Sequence, residues 1–421
     1  MNISIIGTGY VGSVTGACLA DMGHHIIFVD KDLQKLEVIK SGKNSIFEPG
    51  LDQLIVKNKE KILTTTDIPD AVQNTVVTFI CVGTPPREDG SSDMSQIEMV
   101  SQSIGKALRS GTKYRIIVIK STVLPGTIEN LIIPILEKES GKKAFYDFGV
   151  ASNPEFLKEG TAVEDFFNSD RIVIGAQDNR TRELLENLYT PLNVPIFKTN
   201  IRTSEMIKFA SNAFLATKIS FANEIGNLCK ELGIDSYSVF EGVGLDTRIN
   251  SKFFRTGIGF GGSCFPKDVC ALIAYAKSQG ITPRILNSVM AVNDNQPKRM
   301  IALLKKHLNP KGRTIGVLGL AFKPDTDDIR ETRAIPIIKM LLKDGAHVKA
   351  YDPIAMDNFK KQFPDLTYTS SASEILTADA VLIVTEWKEF ESLDYHGKLV
   401  IDGRRIEKAR KEAKYYEGVC W

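Results

Sequence analysis

The segment GFGGSCFPKDV, residues 259–269, sets one thiol, Cys264, behind a run of glycines and directly ahead of Phe265, Pro266, Lys267 and Asp268. Proline suits the first turn of a helix, where its missing N–H is not needed, and KDVCALIAYAKSQG after it has helical spacing with a stop at Gly280. Cys264 is therefore expected at or just before a helix N-terminus. There the positive end of the helix and the nearby Lys267 favour the thiolate, and the small neighbours leave its sulfur accessible. Asp268 is close enough in sequence to manage a proton or a water. A buried, inert thiol fits the same loop, so the chemistry depends on what else the chain carries.

The chain opens with ISIIGTGYVG, a β-branched run leading into Gly7-x-Gly9-x-x-Gly12, with Tyr10 and Val11 inside the turn. Small and apolar residues at helical spacing follow to Met22, Gly23 stops them, and a second strand, HIIFVD, ends in Asp30. This is a βαβ unit whose glycines permit a tight turn and close backbone approach, whose helix N-terminus faces a pyrophosphate, and whose Asp30 accepts from a ribose diol. A 2′-phosphate would be repelled there, which favours NAD over NADP. Further apolar runs, TVVTFICVGTPP and RIIVIKSTVLPGT, place Thr84 and Thr122 at strand carboxyl ends, where a parallel sheet binds its ligand. Loop hydroxyls at such positions also serve simply to satisfy backbone groups.

A thiol beside a hydride acceptor captures an aldehyde as a thiohemiacetal, which a second hydride transfer turns into a thioester that water then cleaves. Such a site oxidises a primary alcohol to an acid without releasing the aldehyde.

Residues 313–352 repeat the opening arrangement: RTIGVLGLAF is a strand and turn, TRAIPIIKMLLKDG a helical pattern, and HVKAYDP a strand ending in Asp352. ADAVLIVTEW and KLVIDGRR echo the later strands of the first half. The second turn lacks the GxGxxG spacing but carries Lys323 and Arg330, which suit a phosphate held by side chains. Between the halves, residues 203–232 read as one helix, from a Thr/Ser cap with Glu205 in the first turn to Gly233, about 45 Å long at about 1.5 Å per residue. Lys208 and Asn212 lie one turn apart in a largely apolar stretch of it, an arrangement that suits a cleft as well as a solvated stripe.

At 421 residues the chain exceeds one ordinary core. The fold class is α/β, two Rossmann-like doubly wound domains joined by a long central helix, with boundaries expected at residues 1–200, 201–295 and 296–421. A net charge of +2 with mixed signs gives no reason to expect nucleic acid or a membrane surface as partner. With no bilayer-length apolar run and no signal-peptide start, a cytoplasmic protein is expected. The six cysteines form no CxxC pair, so neither a disulfide framework nor a metal site is indicated. The tail YYEGVCW reads as a weakly ordered end or a packing contact.

In register along nearly the whole chain, GTGYVG, KSTVLPGT, SNPEFLKEGTA, IKFASNAFLATKISFANEI, DTRINSKFF, GFGGSCFPKDV, LAFKPDTDDIRET and IDGRR resemble the UDP-glucose 6-dehydrogenases, within the superfamily that includes UDP-N-acetylmannosamine and GDP-mannose dehydrogenases. The resemblance implies an NAD domain, a central helix at a homodimer interface and a UDP-sugar domain. It also implies the four-electron reaction in which UDP-glucose, two NAD and water give UDP-glucuronate and two NADH. By motif, Cys264 is the nucleophile and Lys208 and Asn212 stabilise the oxyanion. Asp268, Glu155 and Thr122 position or deprotonate waters, Glu155 being the base for thioester hydrolysis; the acceptor of the first alcohol proton stays open.

The resemblance further assigns Glu155, Phe156, Leu157 and Lys158 to a substrate strip and Glu159 to the cofactor. Asp30, Lys35, Thr84, Thr122, Lys267 and Arg330 are implied as further NAD contacts. Phe253, Phe254, Arg255, Thr256, Gly257, Gly261, Lys323 and Arg404 fall to the sugar nucleotide, and Arg248 to a substrate contact from the partner subunit. Phe254 and Thr256 stand where the family pattern has a leucine and a small residue, and Arg255 adds charge, so UDP-galactose and N-acetylated UDP-sugars stay open as alternative substrates. Two other classes compete: a two-electron hydroxyacid-type dehydrogenase, which leaves Cys264 and the second Rossmann half without tasks, and a nucleotide sensor, which needs none of the catalytic set.

Overall fold

Parallel strands covered by helices on both faces must be apolar on both sides, and the runs around residues 3, 77 and 116 are. In the computed structural model, which describes residues 1–421, they become β1 (Asn2–Ile6), β4 (Val77–Ile80) and β5 (Ile116–Ile119). With β2 (His25–Val29), β3 (Ile62–Thr65), β6 (Gly149–Ser152), β7 (Ile172–Ala176) and β8 (Ile196–Thr199), they form one sheet in the order β3-β2-β1-β4-β5-β6-β7-β8. All neighbours are parallel except β6 and β7. The strand order reverses between β1 and β4, and the crevice at such a reversal lies beyond the strands' carboxyl ends. The turn at Gly7–Gly12 and the loops carrying Asp30, Thr84 and Thr122 all leave those ends. Two apolar clusters sandwich the sheet, one containing Ile5, Phe28 and Phe79, the other Ile80, Ile117 and Phe148.

The second sheet contains β9 (Thr314–Leu318), β10 (His347–Tyr351), β11 (Thr367–Tyr368), β12 (Ala380–Ile383), β13 (Leu399–Asp402) and β14 (Tyr415–Gly418), ordered β11-β10-β9-β12-β13-β14. All its pairings are parallel. Of the two readings of the tail, the packing contact is the one the structure shows. Tyr415–Gly418 pairs with β13, and Cys420 is buried against Gln296, Asn227 and Gly257.

The chain divides into two compact units, Met1–Ser211 and Asn212–Trp421. They are joined by the helix Ile201–Leu232, 32 residues long. It starts before the expected Thr/Ser cap: the Asn200 side chain accepts from Thr203 N at 2.8 Å. Glu205 is buried and turned onto the preceding loop, accepting from Gly126 N at 2.6 Å and Ile128 N at 2.9 Å. Backbone N–H groups at the start of the helical segment Ile128–Ile132 lack partners within it, and Glu205 supplies one.

Candidate active site

In the first unit the glycine turn has the shape its spacing predicts. Gly7 holds φ +96°, a Cβ on Gly12 would meet Gly7 O at 1.9 Å, and a Cβ on Gly9 would project into open space. The helix Tyr10–Asp21 starts immediately after Gly9, so its free N–H groups face that space. Asp30 is fastened by Thr8 N at 2.8 Å, Thr8 Oγ1 at 2.7 Å and Asp32 N at 3.0 Å. Burial pushes its carboxyl up, but these bonds and the Lys35 charge outweigh burial and hold it below the usual range. An ionised acceptor at this place fits a ribose diol. The corresponding Asp352 of the second half is fully buried and saturated by Leu320 N, Ala321 N, Ile354 N, Ala355 N and Trp387 Nε1, so it serves the fold.

Thr84 donates to Thr122 O at 3.1 Å, joining the ends of β4 and β5. Tyr10 donates to Glu48, whose carboxylate also accepts from Gly160 N at 2.7 Å and Ala162 N at 2.7 Å. Glu48 thus fixes the segment carrying Glu159 against the glycine turn, and its surrounding sequence gives no sign of it.

Beyond β6 the chain turns through Asn153 and Pro154 to Glu155. Lys208 on the central helix donates to Glu155 Oε1 at 2.9 Å, and Leu157 N donates to Oε2 at 2.6 Å. Both ionic side chains are buried, Lys208 at 4 % exposure and Glu155 at 8 %. Burial alone pushes the carboxyl up; Lys208, the Leu157 N–H and Lys120 more than reverse this and hold it below the usual range. Phe156 lies beneath Arg171, whose guanidinium is 4.0 Å from its ring centroid. Lys158 points outward and pairs with Asp165 at 2.9 Å.

In the second unit Cys264 is the N-cap of the helix Phe265–Ser278 and is exposed, with Ser263 Oγ at 3.5 Å from its sulfur. Asp268 is 2 % exposed. One of its oxygens accepts from Asn212 at 2.6 Å and the other from Lys267 at 2.7 Å. The central helix therefore presents Lys208 to Glu155 and, one turn later, Asn212 to Asp268.

The loop leading to Cys264 is held by buried carboxamides that sequence reading missed. Asn293 bonds both N and O of Phe260 at 2.7 and 3.0 Å, and Asn223 accepts from Gly257 N at 2.8 Å. Gly261 packs so close to Glu331 O that a Cβ would stand 2.2 Å from it, and Gly262 N donates to Arg330 O at 2.9 Å. Along the proposed sugar strip, Phe253 is exposed with φ +71° and Phe254 stacks on Phe240 at 4.9 Å. Arg255 and Arg404 both reach Glu386, each at 3.3 Å. The Thr256 hydroxyl bonds that of Ser236 at 3.1 Å. Lys323 lies over the Phe322 ring, Arg330 forks onto Asp328 at 2.9 and 2.6 Å, and the exposed Arg248 does the same with Asp246 at 3.0 and 2.6 Å.

Residues 1–193 match the NAD binding domain of the UDP-glucose/GDP-mannose dehydrogenase family, residues 202–295 its central domain and residues 316–409 its UDP binding domain. The chain belongs to this family. NAD is its cofactor, and the glycine turn and Asp30 are the features that fit it. The chain is 46 % identical to the UDP-glucose 6-dehydrogenase of Haloferax volcanii over 100 % of both chains. To one from Bacillus subtilis it is 43 % identical over 96 % of this chain and 89 % of the other. Among solved structures, a UDP-glucose dehydrogenase from the archaeon Pyrobaculum islandicum superposes with TM-score 0.97 at 44 % identity, covering 100 % of this chain and 98 % of that one. No helix is long and apolar enough to cross a membrane.

Proposed function

We propose that the protein catalyses the NAD-dependent four-electron oxidation of UDP-glucose to UDP-glucuronate through a thioester on Cys264. The observation that carries this reading is the exposed Cys264 at the cap of a fourteen-residue helix, in a chain 46 % and 43 % identical to relatives named for UDP-glucose. NAD, when bound, would supply the hydride acceptor, one NAD for each of the two oxidations. The sugar's primary alcohol gives up a hydride to the first of them and a proton to a base not yet assigned, and becomes an aldehyde. The Cys264 thiolate, favoured at the helix N-terminus, forms a C–S bond to that carbon. Lys208 and Asn212 stabilise the resulting oxyanion as preorganised donors. After the second hydride leaves, Glu155 takes a proton from water, the hydroxide adds to the thioester, and the C–S bond breaks to return the thiolate and the acid. Asp268 holds Asn212 and Lys267 in place and, with Thr122, orients water.

We read Asp30, Lys35, Thr84, Thr122, Glu159, Lys267 and Arg330 as cofactor contacts, and residues 155–158, 253–257, Gly261, Lys323 and Arg404 as the sugar-nucleotide set. The reading is also of a cytoplasmic homodimer. Phe214, Phe221 and Leu228 recur every seventh residue of the central helix and are exposed, a stripe suited to a second copy, and Arg248 stays exposed for a substrate held by that copy. Six free thiols suit a reducing compartment.

Intact-mass spectrometry of E155Q mixed with UDP-glucose and NAD tests the covalent route. An adduct of a UDP-glucuronyl group that is absent from the C264A variant is expected; an unmodified protein that still releases acid contradicts it.

A further inference from the structure

Lys120 directly follows β5, two residues before Thr122, and is 5 % exposed. A buried ammonium is stable only with strong partners. Its hydrogen bonds go to Asn153, at 3.0 Å to Oδ1 and 3.5 Å to the backbone oxygen, and the Phe79 and Tyr189 rings lie 5.9 Å away. Asn153 is held from all sides: its Oδ1 also accepts from Tyr189 at 2.6 Å, its Nδ2 donates to Val173 O at 2.9 Å, and its N donates to Ile119 O at 2.9 Å. Glu155 stands two residues further on. Lys120, Asn153, Glu155, Phe156, Arg171 and Tyr189 line one recess of about 30 Å³, room for a water or two.

Two buried lysines act on the buried Glu155 carboxylate: Lys208 bonds to it directly and Lys120 faces it across the recess. Lys208 is also the group asked to serve the substrate oxygen. When its hydrogen bonds turn there, a buried Glu155 would lose its main partner and tend to take up a proton, which would end its use as a base. Lys208 from the central helix, Lys120 from just after β5 and Cys81 from the end of β4 face Glu155, and Arg171, stacked on Phe156, lines the same recess. Burial pushes the Cys81 thiol up to about 12, so it stays neutral. Lys120 is pulled down by burial to about 8 and remains largely cationic at neutral pH.

We propose that Lys120 is a positioning residue for thioester hydrolysis: through Asn153 it fixes the loop that carries Glu155, and its charge keeps the Glu155 carboxylate ionised while Lys208 is engaged with substrate oxygen. This rests on the assignment of Glu155 as hydrolytic base.

The test uses full-length K120M and K120R, with turnover followed from about pH 5 to about pH 9 and the thioester quantified by quenched intact mass. In K120M the acid limb of kcat moves up by about one unit or more and the thioester accumulates, whereas K120R restores the wild-type limb. N153D, which sets a second carboxylate against Lys120, moves the limb the same way and serves if K120M does not fold. A uniform loss of rate with the limb unmoved, or a thioester level equal to wild type, overturns the proposal. If E155Q itself accumulates no thioester, the assignment of Glu155 fails instead.

Discussion

Asn212 Nδ2 donates to Asp268 Oδ2 at 2.6 Å, and Asp268 N donates to Cys264 O at 2.9 Å. The side chain of the central helix and the backbone of the cysteine loop are thereby held by one buried residue. Asparagine at 268 would keep one acceptor, turn an NH2 toward the other donor and lose the negative charge that gathers Asn212 and Lys267. D268N is expected to lower kcat by about 10²-fold or more while UDP-glucose still binds, as read by steady-state kinetics and calorimetry. Wild-type kcat in this variant would remove Asp268 from the mechanism.

The Glu155 and Lys208 pair gives a pH prediction with a definite sign. Against burial, Lys208 and the Leu157 N–H hold the folded pKa of Glu155 below its unfolded value. The pair's contribution to stability is therefore present above the unfolded pKa of about 4.3 and lost as pH falls through the folded value. Replacing Lys208 by methionine takes away the cation bonded to this buried carboxylate and leaves the Leu157 N–H. K208M should raise the acid limb of the pH profile and lower kcat by about 10²–10³-fold, seen in kcat measured across pH.

Glu205 behaves in the opposite sense. Burial raises its folded pKa to about 7, against the Gly126 and Ile128 N–H groups that lower it. Its contribution is complete below the unfolded pKa and is lost as pH rises toward about 7, on the order of 3 kcal/mol in total. Thermal unfolding should show a falling melting temperature from about pH 5 to about pH 8 in the wild type and a flatter course in E205Q. Equal slopes would show that Glu205 does not titrate in this window.

A Cβ at position 12 would stand 1.9 Å from Gly7 O, so the turn must open to admit one. G12A is expected to weaken NAD binding more than about tenfold in fluorescence titration while the second unit keeps its affinity for UDP. Unchanged NAD affinity would place the cofactor elsewhere.

The sequence made the two α/β halves legible because apolar runs punctuated by glycine and acid mark parallel strands, and Pro266 marked the helix that Cys264 caps. Other features resisted reading for physical reasons. The antiparallel β6–β7 step rests on pairing between distant segments, which no local pattern encodes. Glu205 looked like a first-turn acid because its capping position and its inward bond to the loop at Gly126 have the same local sequence. Glu48, Asn153, Asn223 and Asn293 act by bonding backbone far away in the chain, so nothing in their neighbours announces them. Lys120 left the one available trace, a lysine directly after an uninterrupted apolar strand.

A thioester on Cys264 requires a second oxidation at the same carbon as the first. Purified protein should be given excess NAD and a limiting, known amount of UDP-glucose, and NADH counted at the end point. Two NADH per UDP-glucose is the predicted result. One NADH per UDP-glucose, with free aldehyde in solution, would contradict the thioester route and leave a simple alcohol dehydrogenase.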